Sequence, residues 1–326
     1  MVGIGLFLYY NFLPTSHSLA VLRSSSSTSP SPSLSSSTSP SSSSSSNPFT
    51  TLAPSQYKVV EMNDRVPSFK LATYNGQPPY AEGDRAQTAI VNSLQLMKRC
   101  AQDPSLIVVD VGAFVGEFGL YAAACNCQVF LFEVQPHMVD LIRTSISLNN
   151  FSTSRVQVMQ KAVNDLPSNS QLQFSRGGGE TTVSNGTLYA STIRLDDIHW
   201  SPQSSILMLK VDVEGFELNV LRSAEKLFRE KRIHHLIFEY TAWWTDRAPQ
   251  KDLIPFVEKT LGAKELFALD RSAYTVYGPL TREALDHFHD DHVKQHLQTD
   301  IYAIFVEPKE KSNLQVKPYQ PKISFA

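Results

Sequence analysis

The chain has 326 residues, of which 42% are hydrophobic and 18% charged, and its formal net charge is -2 at pH 7. This composition supplies enough apolar material for a sizeable core and no broad basic surface, so we expect no nucleic-acid partner. Three cysteines, Cys100, Cys125 and Cys127, are too few for a disulfide framework and lack the partner pair of a closed zinc site, so we expect buried, unpaired helix cysteines.

The N-terminal 56 residues differ from the rest of the chain. Residues 1–22 form a hydrophobic segment that resembles a signal or anchor, and its apolar run at 2–13 is shorter than the ~20 residues of a membrane span. Residues 23–56 are rich in Ser, Thr and Pro and are predicted to be a disordered linker. We favour a lumenal enzyme of the secretory pathway, tethered to the membrane through residues 2–22. An organelle transit peptide and a plain linker are the alternatives.

Residues 57–310 are predicted to form one domain, followed by a C-terminal tail at 311–326. Short apolar runs alternate in this domain with segments of helical spacing. The predicted helices are 84–100, 116–124, 138–149, 217–232 and 253–261. The predicted strands are 107–110, 129–133, 156–160, 206–211, 236–240, 264–269 and 301–306.

This alternation predicts an α/β fold with a doubly wound, mostly parallel, seven-stranded Rossmann-like sheet. Residues 271–300 are loop-like with weak helical character, which predicts that the last strand runs antiparallel at or near the sheet edge. In such sheets the ligand lies outside the carboxyl ends of the strands. The side chains at these strand ends are therefore the candidate site residues.

A glycine loop follows the first predicted strand of the sheet. Its spacing, Gly112-x-x-x-Gly116, differs from the G-x-G-x-x-G of a dinucleotide site, and Asp110 would repel a diphosphate. Glu133 ends the next strand, where an acid can accept hydrogen bonds from ribose hydroxyls. These features favour a nucleoside without a pyrophosphate, and S-adenosylmethionine (SAM) fits them.

A second signal is the segment KVDVEGFELNVL, at 210–221. Lys210, Asp212, Glu214 and Glu217 all lie at one strand end, which is costly unless they are solvated or functional. Glu217 is equally well explained as an acid in the first turn of a helix. For Lys210 and Asp212 we favour a functional role.

With these pieces in place, the chain resembles the FkbM-type SAM-dependent methyltransferases over residues 106–240. The resemblance is carried, in the family's order, by VVDVGAFVGEFGLYAA, LFEVQPHMVDLIRTSISLNN, VQVMQKAVND, STIRLDDI, LKVDVEGFELNVLRSAEKL and LIFEY. KVDVEGFE is the most specific piece. The resemblance implies a class I methyltransferase fold with SAM as cofactor.

The resemblance also implies roles for individual residues. Asp110, Gly112 and Gly116 would form the SAM loop, Glu133 would bind the ribose, and Asn164 and Asp165 would lie near the adenine. The family usually has Asn where this chain has Phe114, which would either stack against the cofactor or block it.

The expected reaction is methyl transfer to a hydroxyl of a small molecule or glycan. Asp212 and Glu214 would face the methyl-transfer pocket, with Asp212 as the first candidate for the base and Lys210 orienting a carboxylate or lowering the acceptor pKa. No metal is expected, although Asp212 and Glu239 could hold a divalent ion. The alternatives are a non-catalytic nucleoside-binding member of the fold and a nicotinamide-dependent oxidoreductase. The oligomeric state is not readable.

Two further clusters have open roles. Trp243 and Trp244 would line a pocket or pack in the core. His287, His289, His292 and His296 are spaced so that a helix would bring some of them to one face, and we favour a solvated helix over a metal site.

Overall fold

The computed structural model describes residues 51–76, 85–175, 181–270, 275–306 and 314–319. These residues lie in one compact unit, Pro48–Ala326. The anchor-like segment 1–22 and the linker up to residue 50 lie outside the described residues, so those two predictions and the domain boundaries stay predictions. Within the part of the chain that the structure describes, no helix has the length and apolarity to cross a membrane.

The strands follow the apolar runs of the sequence. In chain order they are β1 (Lys58–Met62), β2 (Phe69–Thr73), β3 (Ile107–Val111), β4 (Gln128–Phe132), β5 (Val156–Met159), β6 (Ala162–Val163), β7 (Gln171–Phe174), β8 (Leu188–Ile193), β9 (Ile206–Val211), β10 (Ile233–Tyr240), β11 (Glu265–Leu269), β12 (Val276–Tyr277), β13 (Thr299–Ile304) and β14 (Val316–Lys317).

The helices fill the intervals between the strands. They are α1 (Arg85–Ser93), α2 (Leu96–Gln102), α3 (Glu117–Ala124), α4 (Pro136–Leu148), α5 (Glu217–Arg222), α6 (Glu225–Arg229), α7 (Gln250–Pro255) and α8 (Arg282–Gln295), and a π-helical turn at Phe256–Thr260 continues α7. The single helix predicted at 84–100 is two helices, because Gln95 has a left-handed φ of 50° that interrupts the helix.

The main sheet has the strand order β14-β12-β11-β13-β10-β9-β3-β4-β5. The five strands from β10 to β5 are parallel neighbours, and β13 is antiparallel to both β10 and β11. All seven predicted strands are present, so the doubly wound, mostly parallel Rossmann-like fold is confirmed. The two-residue strands β12 and β14 extend the sheet to nine.

The last predicted strand is antiparallel and near the edge, as predicted. β13 lies between β10 and β11, so only β11 of the seven predicted strands lies outside it, and all six of its residues are buried. The segment predicted as loop-like contains α8, whose first turn is capped by the Thr281 hydroxyl accepting the Ala284 N–H. This helix leads the chain back across the sheet, and β13 then pairs with β10 on one side and with β11 on the other.

The sheet separates two apolar layers. One layer contains β2 and helices α1 to α4, and the other contains helices α5 to α8. Successive residues of β3 alternate between them: Val108 packs in the first layer and Val109 in the second. β3 is therefore buried on both faces, and polar side chains gather at its carboxyl end.

The cysteines correct one prediction. Cys100, near the end of α2, forms a disulfide with Cys127, just before β4, and only Cys125 is free. All three are buried, as expected. The expectation of unpaired cysteines is wrong for Cys100 and Cys127, because the packing of α2 against α3 brings together positions that are 27 residues apart.

Candidate functional site

Two strand-end loops touch at Gly112. This residue has φ of +77°, and a Cβ built on it would overlap the backbone carbonyl oxygen of Asp212. Its N–H and that of Ala113 both donate to the carbonyl of Phe132, at 3.0 Å each. Three parallel strands thus end at one tightly joined point, where a side chain larger than hydrogen has no room.

Asp110 lies behind the glycine loop. Its side chain is buried, and Oδ2 accepts the Gly119 N–H at 3.0 Å, which ties β3 to α3. Burial raises the pKa of this carboxyl above its ordinary value, and the charge of Lys210, its partner in the β3–β9 register, partly opposes that rise. Gly116, with φ of +84°, precedes α3 and packs near Leu131. Neither residue lines the cavity described below.

Glu133 is a buried acid that holds two backbone segments. Oε2 accepts the Phe114 N–H and Oε1 accepts the Gln135 N–H, both at 2.8 Å. Burial raises the pKa of Glu133 to about 7, although these backbone hydrogen bonds act to lower it. The group therefore titrates near neutrality.

A cavity of about 730 Å³, partly open to solvent, lies beside these strand ends. Six of the predicted site residues line it, and they come from four separate segments: Gly112, Phe114, Glu133, Asn164, Asp212 and Glu214. The predicted residues outside its lining are Asp110, Gly116, Asp165 and Lys210.

Asn164 and Asp165 are adjacent but have different environments. Asn164 is buried at the cavity wall, and its Oδ1 accepts the Leu166 N–H at 3.0 Å. Asp165 turns to the next element, where its Oδ1 accepts from Asn219 Nδ2 at 2.9 Å. Asp165 therefore fastens the loop after β6 to α5.

One wall of the cavity has no counterpart in the sequence predictions. It comes from the three-stranded sheet β6-β8-β7 and the residues beside it, and contributes Lys161, Leu172, Phe174, Thr181 and Val183. These strands have only two to six residues, and the polar/apolar alternation of Gln171–Phe174 is a local signal that could have indicated one of them. An antiparallel bridge joins Phe174 to Val183, and both residues line this wall of the cavity.

The KVDVEGFE segment divides between the cavity and the protein interior. The Asp212 side chain is 28% exposed, and its Oδ2 accepts from Lys210 Nζ at 3.1 Å. Glu217 is buried, and its Oε1 accepts the N–H groups of Val213 and Gly215, at 3.1 Å each. Burial raises the pKa of Glu217 to about 8. Glu217 thus holds the turn, whereas Asp212 faces the cavity.

Glu214 completes a group of three acids. One carboxylate oxygen each from Asp212, Glu214 and Glu239 lies within 4.8 Å of the other two. Lys210 pairs with Asp212, and Arg247 Nη1 lies 3.6 Å from Glu214 Oε2. These cations offset part of the negative charge, and the prediction that the site binds no metal stays a prediction.

The tryptophans and histidines lie near the end of β10, apart from the cavity lining. Trp243 stacks on His296 with ring centroids 4.0 Å apart, and the guanidinium of Arg247 lies 3.6 Å from the Trp244 ring. His292 is fully buried and burial lowers its pKa to about 4, so the solvated-helix prediction is wrong for that residue. His289 bonds the Tyr240 hydroxyl at 2.9 Å.

The comparisons with known proteins agree with this architecture. Residues 110–269 match the family model described as the methyltransferase FkbM domain. A comparison with curated protein sequences finds no significant match.

Many solved protein chains are similar to this one, among them the following three. A SAM-dependent methyltransferase from Agrobacterium tumefaciens has a TM-score of 0.41 and 11% identity, covering 79% of this chain and 72% of that one. The tRNA (uracil-54, C5)-methyltransferase of Pyrococcus abyssi has a TM-score of 0.38 and 14% identity, covering 77% of this chain and 44% of that one, so the chain spans less than half of that enzyme. A SAM-dependent methyltransferase from Aquifex aeolicus has a TM-score of 0.34 and 13% identity, covering 68% of this chain and 93% of that one. Likeness at this level carries no argument about substrate.

Proposed function

Because residues 110–269 of the chain belong to the methyltransferase FkbM family, we propose that it is a SAM-dependent methyltransferase that methylates a hydroxyl of a small molecule or glycan. The observation that carries the proposal is the cavity at the carboxyl ends of β3, β4 and β9, where Gly112, Glu133 and Asp212 meet. A ligand at this place fits the general rule for doubly wound sheets.

The cavity suits a nucleoside. Glu133 lines the cavity and accepts the N–H groups of Phe114 and Gln135, and its carboxylate is the group we propose accepts a ribose hydroxyl. Phe132, Phe174 and Val183 add apolar surface against which a flat base can pack. Gly112, whose backbone lies against the Asp212 carbonyl, puts no side chain into the cavity.

The charge of the cavity suits the cofactor as well. When bound, SAM supplies an activated methyl group on a positively charged sulfur. Asp212 and Glu214 place carboxylates in the same cavity, and they attract a cation over short distances. A diphosphate would be repelled by these groups, which disfavours the nicotinamide alternative.

In the proposed mechanism Asp212 accepts the proton of the acceptor hydroxyl. Lys210 holds Asp212 Oδ2, which fixes the carboxylate and leaves its second oxygen to take the proton. General-base assistance of this kind is typically worth ~10²–10⁴-fold. Alignment of the acceptor oxygen contributes the larger part of the rate.

We further propose that the enzyme acts in the lumen of the secretory pathway, tethered through residues 2–22. The Cys100–Cys127 disulfide supports this location, because disulfides persist in oxidising compartments. The Ser/Thr/Pro-rich composition of residues 23–56 is typical of a stem. A lumenal location favours a glycan hydroxyl as acceptor.

The proposal is tested by isothermal titration of the full chain with SAM and with S-adenosylhomocysteine, alongside Phe114→Asn. Phe114 lines the cavity with a left-handed φ of 52°, which Asn adopts at lower cost. We expect micromolar binding by the parent and binding at least as tight by the variant.

Each outcome has a distinct meaning. Absence of binding in both proteins would contradict the cofactor. Binding by Phe114→Asn alone would indicate a fold that has lost its chemistry. If both bind, S-adenosylhomocysteine release with a panel of hydroxylated acceptors tests the reaction itself.

A further inference from the structure

A second cavity lies beside α1 and α3. It has about 330 Å³ of empty space, part of which is open to solvent, and its lining includes Arg65, Gln87, Glu117, Phe118 and Tyr121. None of these residues takes part in the cofactor site proposed above. We call it the lateral cavity.

Two buried oxygen atoms of this lining lack a hydrogen-bond partner among the described residues: Gln87 Oε1 and Glu117 Oε2. Gln87 is 4% exposed and Glu117 is 8% exposed. Gln87 Nε2 donates to Asp300 Oδ2 at 2.8 Å, and since a carboxylate only accepts, this bond fixes which end of the amide is the oxygen. A buried acceptor without a donor costs free energy, so both atoms favour a ligand that donates.

Several donors of the lateral cavity are engaged within the protein. Arg65 donates to Thr88 and to Glu117 Oε1, at 2.7 Å each, and the Tyr121 hydroxyl donates to the Val66 carbonyl at 2.9 Å. Because Arg65 offsets the charge of Glu117, the cavity favours neutral donors over cations. Hydroxyl and amide N–H groups are both neutral donors, and hydroxyl groups match the acceptor class proposed above. The rings of Phe118 and Tyr121 offer apolar faces beside them.

The lateral cavity is connected to the acidic cluster by neighbouring residues. Asp300, the partner of Gln87, lies opposite Glu239 in the β10–β13 ladder, and Glu239 lies with Asp212 and Glu214. Residues directly opposite in a ladder are close neighbours. The lateral cavity is thus separated from Asp212 by Gln87, Asp300 and Glu239, which is the span that one acceptor molecule would have to bridge.

We propose that the lateral cavity binds a sugar ring of the acceptor, whose hydroxyls donate to Gln87 Oε1 and Glu117 Oε2. This inference rests on the proposed function, since it gives the methylated molecule its chemical class. The ring in the lateral cavity positions the acceptor, and the hydroxyl that reacts lies at Asp212.

The test is saturation-transfer NMR on the full chain with methyl β-D-glucopyranoside and methyl β-D-galactopyranoside, with and without S-adenosylhomocysteine. Glu117→Gln keeps the shape and the bond to Arg65 but replaces the acceptor in the cavity with an NH₂ donor. Gln87→Met removes the acceptor and keeps the length. Gln157→Met, at an exposed position on β5, is the matched control. Thermal unfolding and S-adenosylhomocysteine titration show whether each variant is folded.

We expect at least one glycoside to bind the parent together with S-adenosylhomocysteine. Binding should weaken by about tenfold or more in Glu117→Gln and Gln87→Met, and be unchanged in Gln157→Met. If Gln87→Met does not fold, Glu117→Gln carries the test. The inference would be overturned by any of three results: no glycoside binding by the parent, competition between glycoside and S-adenosylhomocysteine, or unchanged glycoside binding by the folded variants. If the parent binds S-adenosylhomocysteine but no glycoside, only the sugar site in the lateral cavity is rejected. If it binds a glycoside but no S-adenosylhomocysteine, only the proposed cofactor is rejected.

Discussion

We expect the buried acid Glu133 to make nucleoside binding depend on pH. Its pKa is about 7, against an ordinary value of 4.5, because burial disfavours the charged form. Ribose hydroxyls donate to a carboxylate and therefore favour the ionised form. A nucleoside should then bind more tightly as the pH rises through 7, with release of a proton.

The size of the effect follows from the protonated fraction. A group with a pKa of 7 is roughly nine-tenths protonated at pH 6 and one-tenth protonated at pH 8, so affinity should rise by about tenfold between them if the complex is fully ionised. The free energy of unfolding of the unliganded protein should fall as the pH rises, because the folded state holds this proton more tightly than the unfolded state. The stabilisation from the bound proton is fully present below pH 4.5 and is lost as the pH rises through 7, which lowers the free energy of unfolding by about 3 kcal/mol.

The assay is titration calorimetry with 5′-methylthioadenosine, which has the ribose and base of the cofactor but no amine that titrates in this range. Measurements at pH 6, 7 and 8, in buffers of different ionisation enthalpy, give both affinity and proton release. Glu133→Gln is the matched control: its profile should be flat, and its binding at pH 8 weaker, because one backbone N–H loses its acceptor. A flat profile for the parent, or one that falls with pH, would refute the role of Glu133.

Three further predictions concern the loops and the cysteines. Gly112→Ala should abolish nucleoside binding and lower the unfolding temperature, because its Cβ overlaps the Asp212 carbonyl; normal binding by calorimetry would contradict the close contact of the loops. Asp212→Asn should reduce turnover ~10²–10⁴-fold with cofactor affinity kept, as measured by S-adenosylhomocysteine release, and unchanged turnover would remove Asp212 from the mechanism. Replacing both Cys100 and Cys127 with Ser should lower the free energy of unfolding, measured by denaturant titration, by about 3–4 kcal/mol, because their disulfide closes a loop of 27 residues. The control Cys125→Ser, at the free cysteine, should show no such disulfide-linked loss. Equal effects of reducing agent on parent and double variant would argue against the disulfide.

The strand-end positions could be predicted from sequence because they depend on local patterns. Apolar runs of strand length, followed by glycine or by acids, identified Gly112, Glu133 and Asp212 before any contact was known. The doubly wound sheet puts such ends on one edge, so the three residues meet although Gly112 and Asp212 are 100 positions apart in the chain. That part of the site was determined by the sequence alone.

Contacts between distant segments decided the rest. Asp110 has the residue type of a ligand-binding acid, yet its carboxylate is occupied by Gly119 in the interior. The pairing of Cys100 with Cys127 needed the packing of α2 on α3. One hydrogen bond joins Gln87, in the lining of the lateral cavity, to Asp300, which is 213 residues away in the chain. Residue type and spacing carry no information about which side chains become neighbours across a sheet, so only the tertiary structure could bring these groups together.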